Sequence, residues 1–185
     1  MIALHRAAER RFAPWKNGGG QTAEILSMPH GAGFDDFHWR ISTARIAHSG
    51  PFSAFPGVSR SLTVLEGGPM TLEFADGSRI AAGADSGPAV FSGAAPCHAV
   101  VPGGSLLVLN VMVRAPYACA VWRAPGAACQ PDAPLARYLL ACADILPLGM
   151  ARHDLAALAP DLDVPEGVTG DNGLIVDILR TPGAG

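Results

Sequence analysis

The run Leu106-Leu107-Val108-Leu109-Asn110-Val111-Met112-Val113 constrains this chain more than any other eight residues in it. Strand side chains alternate between two faces, and here both faces are apolar, so the segment must lie between two layers. It is read as a central strand. Further segments of strand length recur between Gly and Pro punctuation at residues 22–27, 39–44, 60–65, 70–74, 78–81, 89–91 and 174–179. Ala75-Asp76-Gly77-Ser78 joins two of them, and Asp-Gly supplies the positive φ of a tight turn, so residues 70–80 read as a hairpin. Many strands and few helices imply an all-β sandwich or barrel. Residues 137–142 and 155–159 fit strand, helix or loop by periodicity, and the Ala-Pro-Gly stretch 123–134 reads as a crossing loop.

A chain of 185 residues can bury a sizeable core, as one large domain or two packed halves. The net charge of −3 offers no basic field for a polyanion, so nucleic acid is not expected as a partner. No run approaches the roughly 20 apolar residues of a membrane span, and Met1 to Arg6 lacks the apolar core of a signal peptide. A cytoplasmic protein without membrane contact is expected. Cys97, Cys119, Cys129 and Cys142 are widely spaced without a C-x-x-C, which suits buried free thiols in a reducing compartment.

Lys16-Asn17-Gly18-Gly19-Gly20-Gln21-Thr22-Ala23-Glu24 sets a cation, an amide and a carboxylate around three consecutive glycines. Such a run marks backbone that needs positive φ or close approach to a neighbour. The lysine precedes the glycines, so the Walker order is absent, and no strand-like run leads into the loose G-x-G-x-x-A match.

Together with Trp15, Trp39-Arg40-Ile41-Ser42, Gly50-Pro51-Phe52-Ser53, Phe55-Pro56-Gly57, Arg60-Ser61-Leu62, Leu65-Glu66-Gly67, Phe91-Ser92-Gly93 and Leu109-Asn110-Val111-Met112, this segment resembles the HutD/Ves family over residues 12–113. The resemblance implies a cupin-type (RmlC-like) β-barrel, bicupin-like, with two cupin-like halves in one compact chain, the first over about residues 1–113 and the second over about 114–185. It also implies an association with bacterial histidine utilisation, moderated rather than catalysed, with a looser stress-related role in the Ves branch. A metal-binding cupin spaces H-x-H, three or four residues, Glu, six residues, Gly. Counting back from Gly67 places Arg60 at the glutamate, with Pro56 and Ala54 at the histidines. His98 is the imidazole nearest the second motif, and one ligand cannot make a metal site, so neither metal nor other cofactor is expected.

Strand alternation puts Arg40 and Ser42 on one face and Trp39 and Ile41 on the other, so Arg40 and Ser42 point into a cavity if the latter fill the core. Thr22 and Glu24 likewise share a face, with Lys16 and Asn17 at the mouth. A guanidinium fork with a lysine, an amide and hydroxyls suits recognition of a small acid. The expected ligand-binding set is Lys16, Asn17, Gly18, Gly19, Gly20, Thr22, Glu24, Arg40, Ser42, Arg60 and His98. The competing reading is a structural Arg40–Glu24 ion pair. Asn110, among apolar neighbours on its face, reads as a core amide that needs partners. The expected function is non-catalytic binding of a small carboxylate, a histidine-pathway metabolite or formate, with a homodimer as one open assembly. A metal-free cupin isomerase or lyase, or a stress-related interaction protein, is the alternative; only Glu24 and His98 could serve as acid or base.

Overall fold

The computed structural model describes residues 1–123 and 134–181, so most of the expected crossing loop lies outside the described residues. In chain order the strands are β1 (Ala3–His5), β2 (Ala13–Pro14), β3 (Gly20–Met28), β4 (Trp39–Ile46), β5 (Gly50–Pro51), β6 (Val58–Glu66), β7 (Met70–Phe74) and β8 (Arg79–Ala82). They continue as β9 (Ala89–Ser92), β10 (Cys97–Val100), β11 (Leu106–Arg114), β12 (Tyr117–Arg123), β13 (Ala136–Ala141), β14 (Leu155–Leu158) and β15 (Gly173–Arg180). Among the described residues all sheet pairings are antiparallel, and helix is confined to single 3-10 turns at Ala7–Glu9 and Leu146–Leu148. The protein is all-β. Its contacts fall into two units, Arg11–Ala115 and Met1–Arg10 with Pro116–Gly185.

In the unit Arg11–Ala115, a six-stranded sheet runs β2-β3-β4-β11-β6-β9 and a four-stranded sheet runs β5-β10-β7-β8. The run that begins at Leu106 is the strand between β4 and β6, buried on both faces up to Arg114, as its apolar composition requires. Ile46, Leu62, Val64, Leu106 and Val108 meet Met70, Leu72, Cys97 and Ala99 of the other sheet in one core. Each large aliphatic side chain removed from water there contributes about 1.5 to 3 kcal/mol. The hairpin β7–β8 turns at Asp76-Gly77, where Gly77 has φ 85° and the Asp76 carboxylate accepts from the Ser78 amide at 2.9 Å. β10 was not anticipated, because its four residues carry a weak pattern: Cys97 and Ala99 face in, His98 faces out.

Gly20 is the glycine of its run that packing demands. A Cβ there would stand 2.4 Å from the Arg45 carbonyl oxygen and 3.2 Å from the Trp15 ring, whereas at Gly19 it would meet only the Asn17 side chain at 3.4 Å. Gly20→Ala is therefore expected to cost about 1 to 3 kcal/mol in urea unfolding, and Gly19→Ala under about 1 kcal/mol. Equal midpoints for the two variants would remove the close-approach account.

In the other unit the sheet runs β1-β14-β13-β15-β12 over a core that includes Trp122, Leu139, Ile145, Met150, Leu158 and Ile175. The ambiguous segments become β13 and β14 because β15 supplies a paired edge, with Tyr138 opposite both Val176 and Ala157. The chain leaving β1 is fastened by Asp154. Its Oδ1 accepts from the Ala7 amide at 2.7 Å, and its Oδ2 from Arg6 Nη1 at 2.9 Å and the Ala151 amide at 3.0 Å. Burial opposes ionisation of this carboxylate, but the two amides and the guanidinium outweigh it and hold the pKa below its ordinary value. A carboxylate depressed on folding stabilises the folded state above its unfolded pKa and loses that contribution as pH falls through its folded value. Asp154→Asn is therefore expected to lose about 1 to 3 kcal/mol at pH 7 and progressively less toward pH 3. Urea midpoints at the two pH values measure this, and a pH-independent deficit would contradict it.

Candidate functional site

The registers of four strands bring the charged residues onto one face of the six-stranded sheet. Glu24, Ser42, Asn110 and Leu62 form one rung across β3, β4, β11 and β6, and Ser27, Arg40, Met112, Arg60 and Phe91 form the next, extended to β9. A bulge between Glu24 and Leu26 lets Glu24 and Ser27 share that face. Arg40 and Arg60 thus lie two strand spacings apart, about 10 Å between backbones. Further along β4, β6 and β11 the same face carries Ala44, Ile46, Leu62, Val64, Leu106 and Val108 of the core. The face is apolar at one end and cationic at the other.

Arg60 is 7% exposed. Its Nε and Nη2 donate to Asn110 Oδ1 at 3.3 and 3.2 Å, so the core amide is satisfied by a residue fifty positions earlier. Its guanidinium lies 5.1 Å from the ring centroids of Phe52 and Phe91 and 5.7 Å from that of Phe55. These contacts use the negative faces of the rings. No described carboxylate forms an ion pair with it. Burial pushes its pKa down to about 10, with a small opposing effect of Cys97.

Arg40 is also buried, but Nη2 meets Glu24 Oε2 at 3.1 Å, and Ser27 Oγ donates to Glu24 Oε1 at 3.3 Å. Its guanidinium lies 4.2 Å from the Phe34 centroid, and Phe34 stacks on Phe55 at 5.5 Å. Burial lowers the Arg40 pKa, and Glu24 opposes the shift. The structural ion pair is therefore present, on the face expected for the ligand. With two guanidinium groups and one carboxylate, the rungs keep an excess positive charge next to aromatic rings. Such a centre can seat a small anion by charge-assisted hydrogen bonds.

The glycine loop joins β2 to β3 through bonds from the Trp15 amide to the Gly20 carbonyl at 2.8 Å and from the Gly19 amide to Asn17 Oδ1 at 3.1 Å. Gly18 takes φ 71°. Trp15 Nε1 donates to Thr22 Oγ1 at 2.7 Å, so that hydroxyl is committed to the loop. Asn17 Nδ2 reaches the Pro51 carbonyl at 3.4 Å, and Lys16 is exposed. The loop is thus bonded to itself, to β5 and, through the Gly19 carbonyl, to the Ala47 and His48 amides that follow β4. His98 stands outside the charged face: β10 turns Cys97 and Ala99 into the core and His98 to solvent, apart from Arg40 and Arg60. A cavity of about 360 Å³ lined by Phe74, Asp76, Ser78, Ile80, Phe91 and Pro96 touches the Arg60 surroundings only through Phe91. Its one acid is committed to Ser78, at 2.6 Å from the hydroxyl. Among the described residues no three His, Cys, Asp or Glu side chains could hold a metal ion.

Sequence reasoning passed over the phenylalanines. Phe52 and Phe55 stood in the recognised motifs, but only folding brings them to Arg60. It also passed over Arg137 and Asp177, whose antiparallel rung makes a buried bidentate pair at 2.7 and 3.1 Å.

An antiparallel β protein with two buried guanidinium groups at one end of a sheet face is the class these observations define. The chain belongs to the HutD family, whose model matches residues 7–133. A HutD structure from Pseudomonas fluorescens SBW25, described as a formate condition, is 25% identical with a TM-score of 0.80, covering 97% of this chain and 99% of that one. A conserved protein of unknown function from Pseudomonas aeruginosa PAO1 shares the fold at 24% identity and TM-score 0.76, covering 97% and 100%. Protein Ves of Citrobacter koseri is 54% identical over 59 residues, 32% of this chain and 30% of that protein. The chain therefore spans under a third of the length of the curated relative it matches.

Proposed function

We propose that this protein is a non-catalytic binder of a small carboxylate, seated on Arg60 beside Arg40, and that through this binding it moderates histidine utilisation. In this reading the two units are the cupin-like halves of a bicupin, working in the cytoplasm without metal, cofactor, nucleic acid or membrane, and a homodimer is compatible with it. The observation that carries the reading is Arg60, a buried guanidinium held by an amide oxygen and three rings with no carboxylate ion-paired to it among the described residues. An anion would supply the missing partner. The HutD structure from P. fluorescens is described as a formate condition, and formate, a small carboxylate, is therefore one of the acids to screen. Catalysis is disfavoured because the nearby acid, Glu24, is engaged by Arg40 and Ser27 and has no free orienting partner.

A thermal-melt screen of histidine, urocanate, formiminoglutamate, N-formylglutamate and formate tests the proposal. A ligand at a hundredfold excess over its Kd adds about 2.7 kcal/mol, a shift of roughly 5 to 11 °C at this chain length. At least one acid is expected to shift the melt while succinate and chloride at equal ionic strength do not, with no change in its mass after overnight incubation. Absence of any shift removes the reading; consumption of the acid replaces it with the enzyme alternative.

A further inference from the structure

We infer that Arg114 is the positioning residue that keeps the guanidinium site closed, by tying together the two loops whose phenylalanines cover it. It rests on the reading of Arg60 as the anion-binding group. Phe34 lies in the connection between β3 and β4, and Phe55 in the connection between β5 and β6. These two rings stack at 5.5 Å, one over Arg40 and the other over Arg60. Stacking alone is weak, and Phe34 remains 52% exposed. What holds the two connections is one side chain at the end of the central strand: Arg114 Nη2 donates to the Phe34 carbonyl at 2.9 Å, and Nη1 to the Pro56 carbonyl at 3.1 Å.

The clasp itself is anchored. The Arg114 guanidinium lies 4.9 Å from the centroid of Phe37, a fully buried ring that packs with Val58 and Met112. The Arg114 amide donates to the His38 carbonyl at 2.9 Å. Gly57, at φ 72°, leaves room beside Nη1, where a Cβ would stand at 3.4 Å. One charged fork thus makes two bonds to two segments about twenty residues apart, and both segments carry a ring over the site. A planar guanidinium spans two acceptors in fixed geometry, which a lysine ammonium on a flexible stem does not reproduce. Entry of an anion to Arg60 requires Phe34 and Phe55 to part, and parting them strains or breaks a bond to Arg114. Arg114 contacts neither Arg40 nor Arg60 in these bonds, so its effect is on access.

The test measures how fast phenylglyoxal, an arginine-directed reagent, modifies Arg60 in the folded protein, read by peptide mass spectrometry. Arg114→Met keeps an unbranched side chain beside Phe37 and removes both bonds together with the guanidinium contact to that ring. It is expected to raise the rate of Arg60 labelling about tenfold or more, the change in open population that follows loss of a charge-assisted hydrogen bond. Arg114→Lys should not restore protection. Phe34→Ala, which removes a cover without touching Arg114, should raise labelling similarly and serves if Arg114→Met does not fold. Amide exchange within β11 reports global opening and is expected to stay unchanged. Formate forms a second arm on the wild-type protein. If formate protects Arg60 yet the Arg114 and Phe34 variants label at the wild-type rate, the clasp is wrong and the binding reading stands. If the variants label faster but no concentration of formate or of the screened acids protects Arg60, the clasp stands and the binding reading fails. Faster labelling accompanied by equally faster exchange in β11 overturns the clasp as well, because Arg114 then acts on the whole fold.

Discussion

Asp177→Ala is expected to destabilise the protein by about 3 to 5 kcal/mol, the range for removing one partner of a buried ion pair. Asp177 is fully buried and accepts three bonds: from Arg137 Nε at 2.7 Å, Arg137 Nη2 at 3.1 Å and Trp122 Nε1 at 3.0 Å. Removing the carboxylate leaves the Arg137 guanidinium with the Leu162 carbonyl at 3.0 Å, and the indole N–H loses its acceptor. The cost comes from the charge left without a counterion in a medium that solvates it poorly, more than from the attraction lost. The double variant Arg137→Met with Asp177→Leu should therefore recover most of the loss, since an apolar pair of similar volume substitutes well for a buried ion pair. Arg79→Ala is the control: its pair with Glu73 at 3.0 Å is exposed at the arginine, so about 0 to 1 kcal/mol is expected. Urea midpoints for the four proteins decide the matter, and an Asp177→Ala protein as stable as the Arg79→Ala protein would show that the pair contributes nothing.

The second large effect is expected at Arg60, with opposite signs for binding and for stability. A basic group whose folded pKa lies below its unfolded value imposes a penalty that is fully present below the folded pKa and is relieved as pH rises from there toward the unfolded value. For Arg60, held down at about 10, below the ordinary guanidinium value, the penalty applies throughout the neutral range and is on the order of 3 kcal/mol. Asn110 and the three rings offset part of it. Arg60→Met alone leaves Asn110 Oδ1 buried without its donor, which costs about 1 to 3 kcal/mol and masks the relief. Arg60→Met with Asn110→Leu removes both polar groups and is expected to melt at or above the wild-type temperature. The same double variant should lose about 2 to 5 kcal/mol of small-carboxylate binding, the cost of removing one side of a desolvated charge pair. Titration calorimetry with the best acid from the screen, beside a thermal melt, reads both quantities. Undiminished binding would exclude Arg60 from the site, and a large fall in melting temperature would make it a structural residue.

The difference between these two arginines explains why one was foreseen and the other was not. Arg60 was singled out by counting back from Gly67 in a spacing pattern, and its strand was visible in the alternation around it. Arg137 sat in a segment whose periodicity left strand, helix and loop open, and its partner lies forty residues away on β15. Asn110 was recognised as a buried amide in need of partners. That the partner is Arg60 could not be read locally, because it depends on β11 and β6 pairing with Met112 opposite Arg60. The outward placement of His98 was not legible for a related reason: the strand that orients it, β10, is four residues long, and its inward face is marked only by a cysteine and an alanine.

What the sequence determined by itself is what a period of two and local turn chemistry can encode. That includes the all-β class, the central strand from Leu106, the hairpin at Asp76-Gly77, the shared face of Arg40 and Ser42, and a glycine run that had to approach its neighbours. What only the tertiary structure decided is which of those faces meet. The Arg60–Asn110 bond, the rings of Phe34, Phe52, Phe55 and Phe91 around two guanidinium groups, the Glu24–Arg40 pair and the reach of Arg114 to two loops all join residues far apart in the chain. The physical reason is that side-chain direction along a strand is set by its own backbone, whereas its contacts are set by strand register and by the packing of sheets, which no single segment contains.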